Sequence, residues 1–140
     1  MAYWLFKSEP SVWGWPDQVA KGDAGEEWDG VRNYQARNFM RDMKLGDRGF
    51  FYHSQKEKAV VGIVEVCAEA HQDSTTKDDR WDCVDIKAVR PLTTPVTLDD
   101  IKADEALSNM VLVKNSRLSV QPVTDAEWMR ICAMGDTDPN

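Results

Sequence analysis

The sequence predicts an α+β domain built on a curved, barrel-like mixed sheet of five to six strands, flanked by three to five short helices. Three observations carry this. Apolar runs of strand length occupy residues 3–6, 50–52 and 59–66. Two segments alternate apolar and polar residues, at 84–89 and 117–122. Helical periodicity is confined to short stretches between and around these runs.

The first strand, Tyr3-Trp4-Leu5-Phe6, stops at Lys7-Ser8-Glu9-Pro10, because proline cannot donate to a sheet ladder. Residues 11–30 are irregular and hold Trp13, Trp15 and Trp28. A short helix over 16–21 is expected there, since proline suits the first helical position. In 33–44, Ala36, Met40 and Met43 fall on one helical face with Phe39 beside them. Gly46 ends that helix. The stretch FFYHSQKEKAVVGIVEV then reads as strand, charged turn and strand. Residues 72–80 are a polar loop before the strand at 84–89, which Pro91 is expected to close. Residues 97–101 open another short helix. Thr124 and Glu127 form a capping box for a last helix, whose apolar face is Trp128, Ile131 and Cys132. The tail, residues 135–140, is expected to fray.

A chain of 140 residues suits one domain over 1–140, and its 42% hydrophobic and 29% charged content is that of a folded protein. No apolar run nears the roughly 20 residues of a membrane span. The N-terminal apolar stretch is too short, and lacks the basic lead-in, for a signal peptide. Cys67, Cys83 and Cys132 have no paired spacing, so free thiols in a reducing, cytoplasmic setting are expected. His53 and His71 have no cysteine or carboxylate at ligand spacing, so no metal site is expected. No glycine-rich phosphate loop occurs, and no cofactor is expected.

The net charge of -7 opposes nonspecific binding to phosphate backbones. Its distribution is uneven. Residues 32–58 carry net +4 and the remainder -11. This leaves two readings, a patch for a phosphate-bearing ligand or ordinary helix solvation.

Polar residues end apolar strands or open a helix at Lys7-Ser8, His53-Ser54 and Arg32-Asn33. Strand ends meeting at one rim would gather them into a pocket. Gly62, inside an apolar strand, would let that strand bend or admit a ligand close to the backbone. Asn33 is also an N-cap candidate, and Arg37 and Arg41 face either a phosphate backbone or water. Trp28 and Trp81 sit among charged neighbours, where a ring either plugs the core edge or stacks on a flat ligand. An enzyme reading would use Ser8 or Ser54 with His53. Adjacent strand residues point to opposite faces, so His53 is poorly placed for Ser54, and no orienting carboxylate is evident. A third reading is a protein-interaction module with residues 13–28 as an exposed apolar patch.

YWLFKSEP, WDGVRNYQARNFMRDMKLGD, FFYHS followed by VVGIVEV, and SRLSVQPV together resemble the EVE domain family, from Tyr3 to about Ile131. The resemblance implies a PUA-like pseudobarrel that binds DNA or RNA carrying a modified base. Modified cytosines in DNA, 5-methylcytosine and 5-hydroxymethylcytosine, lead the candidates. The base would be flipped into an aromatic-lined pocket without catalysis. By analogy with the related YTH domains, Trp28 and Trp81 would be cage walls. Lys7, Ser8, Asn33, Ser54 and Ser119 would supply polar contacts, with Tyr34 a stacking surface or core residue. Arg32, Arg37, His53 and Arg117 would approach the nucleic-acid backbone. A monomer is expected, with no membrane and no metal.

Overall fold

The computed structural model describes residues 1–140. Six strands make one mixed sheet in the order β2-β5-β4-β3-β1-β6. They are β1 (Tyr3–Ser8), β2 (Glu26–Glu27), β3 (Arg48–His53), β4 (Ala59–Gln72), β5 (Asp82–Thr97) and β6 (Val120–Val123). β1 runs parallel to β3, and every other pairing is antiparallel. The edge strands β2 and β6 do not pair with each other, so the curved sheet stays open. The helices are α1 (Trp15–Ala20), α2 (Tyr34–Asp42), α3 (Leu98–Ala103), α4 (Val111–Lys114) and α5 (Asp125–Met134).

Alternation along the strands divides the core in two. Trp4, Phe6 and Phe51 join Trp28, Ala36, Met40 and Met43 in one cluster, which α2 covers. Leu5, Phe50 and Tyr52 join Trp128, Ile131 and Cys132 in the other, which α5 covers. The local signals behave as their chemistry requires. Asn33 caps α2 by accepting the Ala36 N–H at 2.9 Å. Both bonds of the Thr124–Glu127 capping box form, at 2.9 and 3.2 Å.

Four expectations need correction. Pro91 does not close its strand; β5 runs on through Pro91 and Pro95. The register there jumps from Gly62↔Pro91 to Val60↔Val96, so the prolines flank a bulge where ladder donors are not required. Residues 135–140, expected to fray, carry hydrogen bonds to the body of the domain. The Trp128 indole N–H donates to Pro139 O at 2.9 Å, and Arg90 donates to Asp138 O and Asn140 O at 2.7 and 3.0 Å. The two-residue strand β2 and helix α4 have no periodic signature of their own and were not expected. Gly62 makes room for a side chain rather than a ligand, since an added Cβ would lie 2.4 Å from the Trp15 ring.

Candidate binding site

A cavity of about 670 Å³ opens where the ends of β1 and β6 meet the segment that follows β2. Its lining includes Lys7, Ser8, Trp13, Trp28, Arg32 and Ser119. Glu9, Glu26, Glu27 and Asp29 add an acidic component.

Trp28 forms the apolar floor. It is 8% exposed and packs edge-to-face against Phe6 and Phe51, with centroids 5.3 and 5.7 Å apart. Its ring is therefore core and cavity wall at once. The wall beyond it depends on Asp73, a carboxylate only 1% exposed. Asp73 accepts from the Gly30 N–H at 2.8 Å and from the Arg32 guanidinium at 3.1 Å. It also accepts from the Thr75 hydroxyl at 2.5 Å, the strongest of the lowering influences, and from the Thr75 N–H at 2.8 Å. Burial alone would raise its carboxyl, but these donors hold it down at about 2. The turn is completed by Gly30 at φ +76°, a conformation that side chains with a Cβ rarely adopt. In Asp29, burial and then the neighbouring Asp73, Glu27 and Glu26 push the carboxyl up. Lys7 donates to Ser116 O at 2.5 Å, and burial, then Lys58, lowers its ammonium.

Of the residues expected in the site, Lys7, Ser8, Trp28, Arg32 and Ser119 line the cavity, and Asn33, Tyr34, Arg37, His53, Ser54, Trp81 and Arg117 do not. Trp81 is 9% exposed, and its ring stacks on Tyr34 at 4.9 Å. The Arg32 and Arg37 guanidinium groups sit 5.5 and 6.0 Å from it. The protein's own side chains thus occupy Trp81, and it does not form a cage with Trp28. The second ring at the cavity is Trp13, held by its indole N–H to Gln18 at 3.1 Å. Asn33 spends its carbonyl on the α2 cap. Arg117 is an exposed cation two residues before Ser119.

His53, expected to approach the nucleic-acid backbone, lies outside the cavity lining and is engaged within the protein. It is buried, and its Nε2 accepts the Trp15 N–H at 3.0 Å. The proton therefore sits on Nδ1, which faces Glu57 at 3.3 Å. His53 and Gly62 answer the same need: one anchors the Trp15 backbone and the other clears space for its ring. Ser8 lies beside His53 in the β1–β3 register but donates its hydroxyl to Trp13 O at 2.5 Å. Ser54 donates only its backbone N–H to Ser8 O, at 2.9 Å. Neither serine is hydrogen-bonded to the imidazole. Three of the seven cations in the basic segment are paired with carboxylates. Arg32, Arg41 and Arg48 meet Asp73, Asp82 and Glu65 at 2.8–3.1 Å.

Sequence reasoning missed Trp13, Glu9, Glu26, Glu27 and Asp29 as lining residues. The only signal was their closeness to Trp28 and Pro10. Sequence spacing also gave no sign of a cluster that the sheet assembles from three strands. Glu27, His71 and Cys83 converge, with ligand-type atoms all within 4.8 Å of one another. Burial alone would lower the His71 imidazolium. Its hydrogen bonds to Asp85 and Gln72 prevail and raise it.

The EVE domain family model matches residues 2–134. Mouse thymocyte nuclear protein 1 is 37% identical over 170 aligned positions, covering 99% of this chain and 75% of that protein. A crystal structure from Agrobacterium tumefaciens is 59% identical with a TM-score of 0.96, covering 98% of this chain and 94% of the other. Human THYN1, solved in complex with 5-methylcytosine-containing DNA, is 34% identical with a TM-score of 0.88, covering 99% of this chain and all of that one (100%). A Zymomonas mobilis ASCH protein shares the fold at a TM-score of 0.60 with 12% identity. The match over residues 2–134 and the relatives across the chain agree: this protein belongs to the EVE domain family.

Proposed function

We propose that this protein is a noncatalytic binder of DNA carrying a modified base, with 5-methylcytosine the leading ligand. The observation that carries the reading is the cavity floored by Trp28, in a chain whose relative human THYN1 was solved with 5-methylcytosine-containing DNA. A volume of about 670 Å³ falls within the roughly 300–1,000 Å³ of small-ligand pockets. In this reading the base leaves the duplex stack and lies against Trp28, with Trp13 nearby. Stacking and hydrogen bonds offset an extrusion cost on the order of a few kcal/mol. The acidic wall suits the exocyclic amine of cytosine, which carboxylates accept from. In this reading Lys7, Ser8 and Ser119 supply further polar contacts, and Arg32 and Arg117 are the cations assigned to phosphate. The three unpaired thiols favour a cytoplasmic setting.

The enzyme reading is weakened by the engagement of both His53 nitrogens and of the Ser8 hydroxyl. The interaction-module reading is weakened because Trp13 and Trp15 are half-buried and Trp28 is buried.

The test is a binding titration, at fixed moderate salt, against matched DNA and RNA oligonucleotides. They carry cytosine, 5-methylcytosine, 5-hydroxymethylcytosine, adenine or N6-methyladenine. Tryptophan fluorescence is the readout, since Trp28 and Trp13 border the cavity. A preference for a methylated cytosine strand is expected. Equal, weak and salt-sensitive binding to every strand would overturn the reading.

A further inference from the structure

We propose that Glu27, His71 and Cys83 form a binding site for a divalent cation of the zinc type, with Asp85 orienting the histidine. The site stands on its own geometry and does not depend on what the cavity binds.

Its basis is strand register. Glu27 of β2 pairs with Asp85 of β5, and His71 of β4 pairs with Cys83 of β5. Cys83 and Asp85 are two residues apart on one strand, so their side chains share a face. The four side chains therefore gather as a rectangle over three adjacent strands. Glu27 Oε1 lies 3.4 Å from Cys83 Sγ and 4.0 Å from His71 Nδ1. Tetrahedral zinc bonds of about 2.0–2.3 Å place ligand atoms roughly 3.3–3.6 Å apart, so small side-chain rotations close the set.

The second observation is on the far side of the ring. His71 Nε2 meets Asp85 Oδ1 at 2.7 Å. Metal-bound histidines characteristically donate their other ring N–H to a carboxylate, which fixes the ring and its tautomer. Here Nε2 faces the carboxylate, while Nδ1 lies 3.0 Å from Gln72 O and 4.0 Å from Glu27 Oε1, so metal binding requires the ring to exchange the Gln72 carbonyl for the cation. Ser74 holds Glu27 from behind, its hydroxyl donating to Oε2 at 2.5 Å. One thiolate, one imidazole and one carboxylate favour zinc or cobalt over magnesium or calcium, which prefer all-oxygen sites. Binding expels the Cys83 thiol proton to solvent and leaves His71 neutral. The two anionic ligands then balance the dication. A fourth position stays open toward solvent, where His71 and Glu27 are partly exposed.

The experiment is a Co²⁺ titration of the chelator-treated full chain, followed by absorption. A cobalt–thiolate charge-transfer band with strong tetrahedral visible bands is expected, and Zn²⁺ should displace it. Cys83→Ser, near in size and still able to donate to Glu27, should abolish the band. Cys67→Ser/Cys132→Ser should retain it. Asp85→Asn should weaken binding about 10-fold or more. His71→Gln, at a partly exposed position, provides a second ligand deletion if the cysteine variant folds poorly. Refolding from urea with Co²⁺ present removes slow entry as a cause of a blank result. No thiolate band after refolding, or a band that survives Cys83→Ser, overturns the site. Loss of base preference in oligonucleotide titrations would leave this result untouched, so the two proposals fail separately.

Discussion

The two faces of the sheet solve the same packing problem in opposite ways. On the α5 face, Trp128 is fully buried between two parallel rings, Tyr3 at 4.2 Å and Phe50 at 4.1 Å. Its indole N–H is satisfied by Pro139 O. Nothing is left for a ligand. On the α2 face, Trp28 is nearly as buried but is met edge-to-face by Phe6 and Phe51, and a cavity begins beside it. Stacking on both sides closes a tryptophan, while edge-to-face packing holds it and leaves part of the ring at a wall. The comparison shows why burial alone does not separate structural from binding tryptophans. Trp81 makes the point again. It is as buried as Trp28, yet Tyr34 and Arg32 already occupy its surroundings.

The largest effect is expected from Trp128→Ala. Removing both stacks should cost about 4 kcal/mol of stability in urea unfolding, the range for large aromatic deletions in cores. Oligonucleotide affinity per folded molecule should not change. Trp28→Leu should do the reverse. It keeps an apolar filler against Phe6 and Phe51, so the stability loss should be smaller. Binding should fall about 10-fold, within the roughly 1–3 kcal/mol of one base–aromatic stack. Trp81→Leu measured in the same titration sharpens the contrast. A binding loss equal to that of Trp28→Leu would return Trp81 to the site.

Asp73→Ala should cost about 2–3 kcal/mol, because it strips acceptors from the Gly30 N–H and the Arg32 guanidinium. Its pH signature has a definite sign. The folded carboxyl is depressed from 3.8 to about 2. Its contribution is therefore present above the unfolded value and is lost as pH falls through that window. Urea unfolding of wild type and Asp73→Ala should converge as pH drops from about 4 toward 2. Gly62→Ala should cost on the order of 1–3 kcal/mol by driving a methyl into the Trp15 ring. The smallest effect is expected at exposed Arg117. Arg117→Ala should leave stability within about 0.5 kcal/mol and reduce the salt dependence of binding by about one phosphate contact.

Much of the scaffold was legible because its signals are local. The apolar runs of β1 and β3, the α2 face of Ala36, Met40 and Met43, and the Thr124–Glu127 cap each reside within a few neighbouring residues. Chain order was enough to find them. Two elements escaped for a physical reason. β2 is two residues long and exists only because β5 offers an edge. α4, four residues long, lacks the span over which helical periodicity is visible. Pro91 misled because its cost depends on whether the partner strand needs a donor there, and the bulge removes that need.

The site was legible in part. Lys7, Ser8, Trp28, Arg32 and Ser119 lie at strand ends or beside a family motif, and the fold brings them to one cavity. His53 and Gly62 were noticed for the right oddity, a polar ring and a missing side chain among apolar residues. Their shared role could not be read, because Trp15 reaches them from 38 residues before His53.

By itself, the sequence determined the apolar strand runs, the apolar faces and caps of the longer helices, and the family. Those follow from residue type and spacing along the chain. Only the tertiary structure decided which tryptophan meets a cavity and which carboxylate holds its wall. It also decided that Glu27, His71, Cys83 and Asp85 stand together. These depend on strand order and register, which join residues far apart in the chain, and register is set by the packing of the whole sheet.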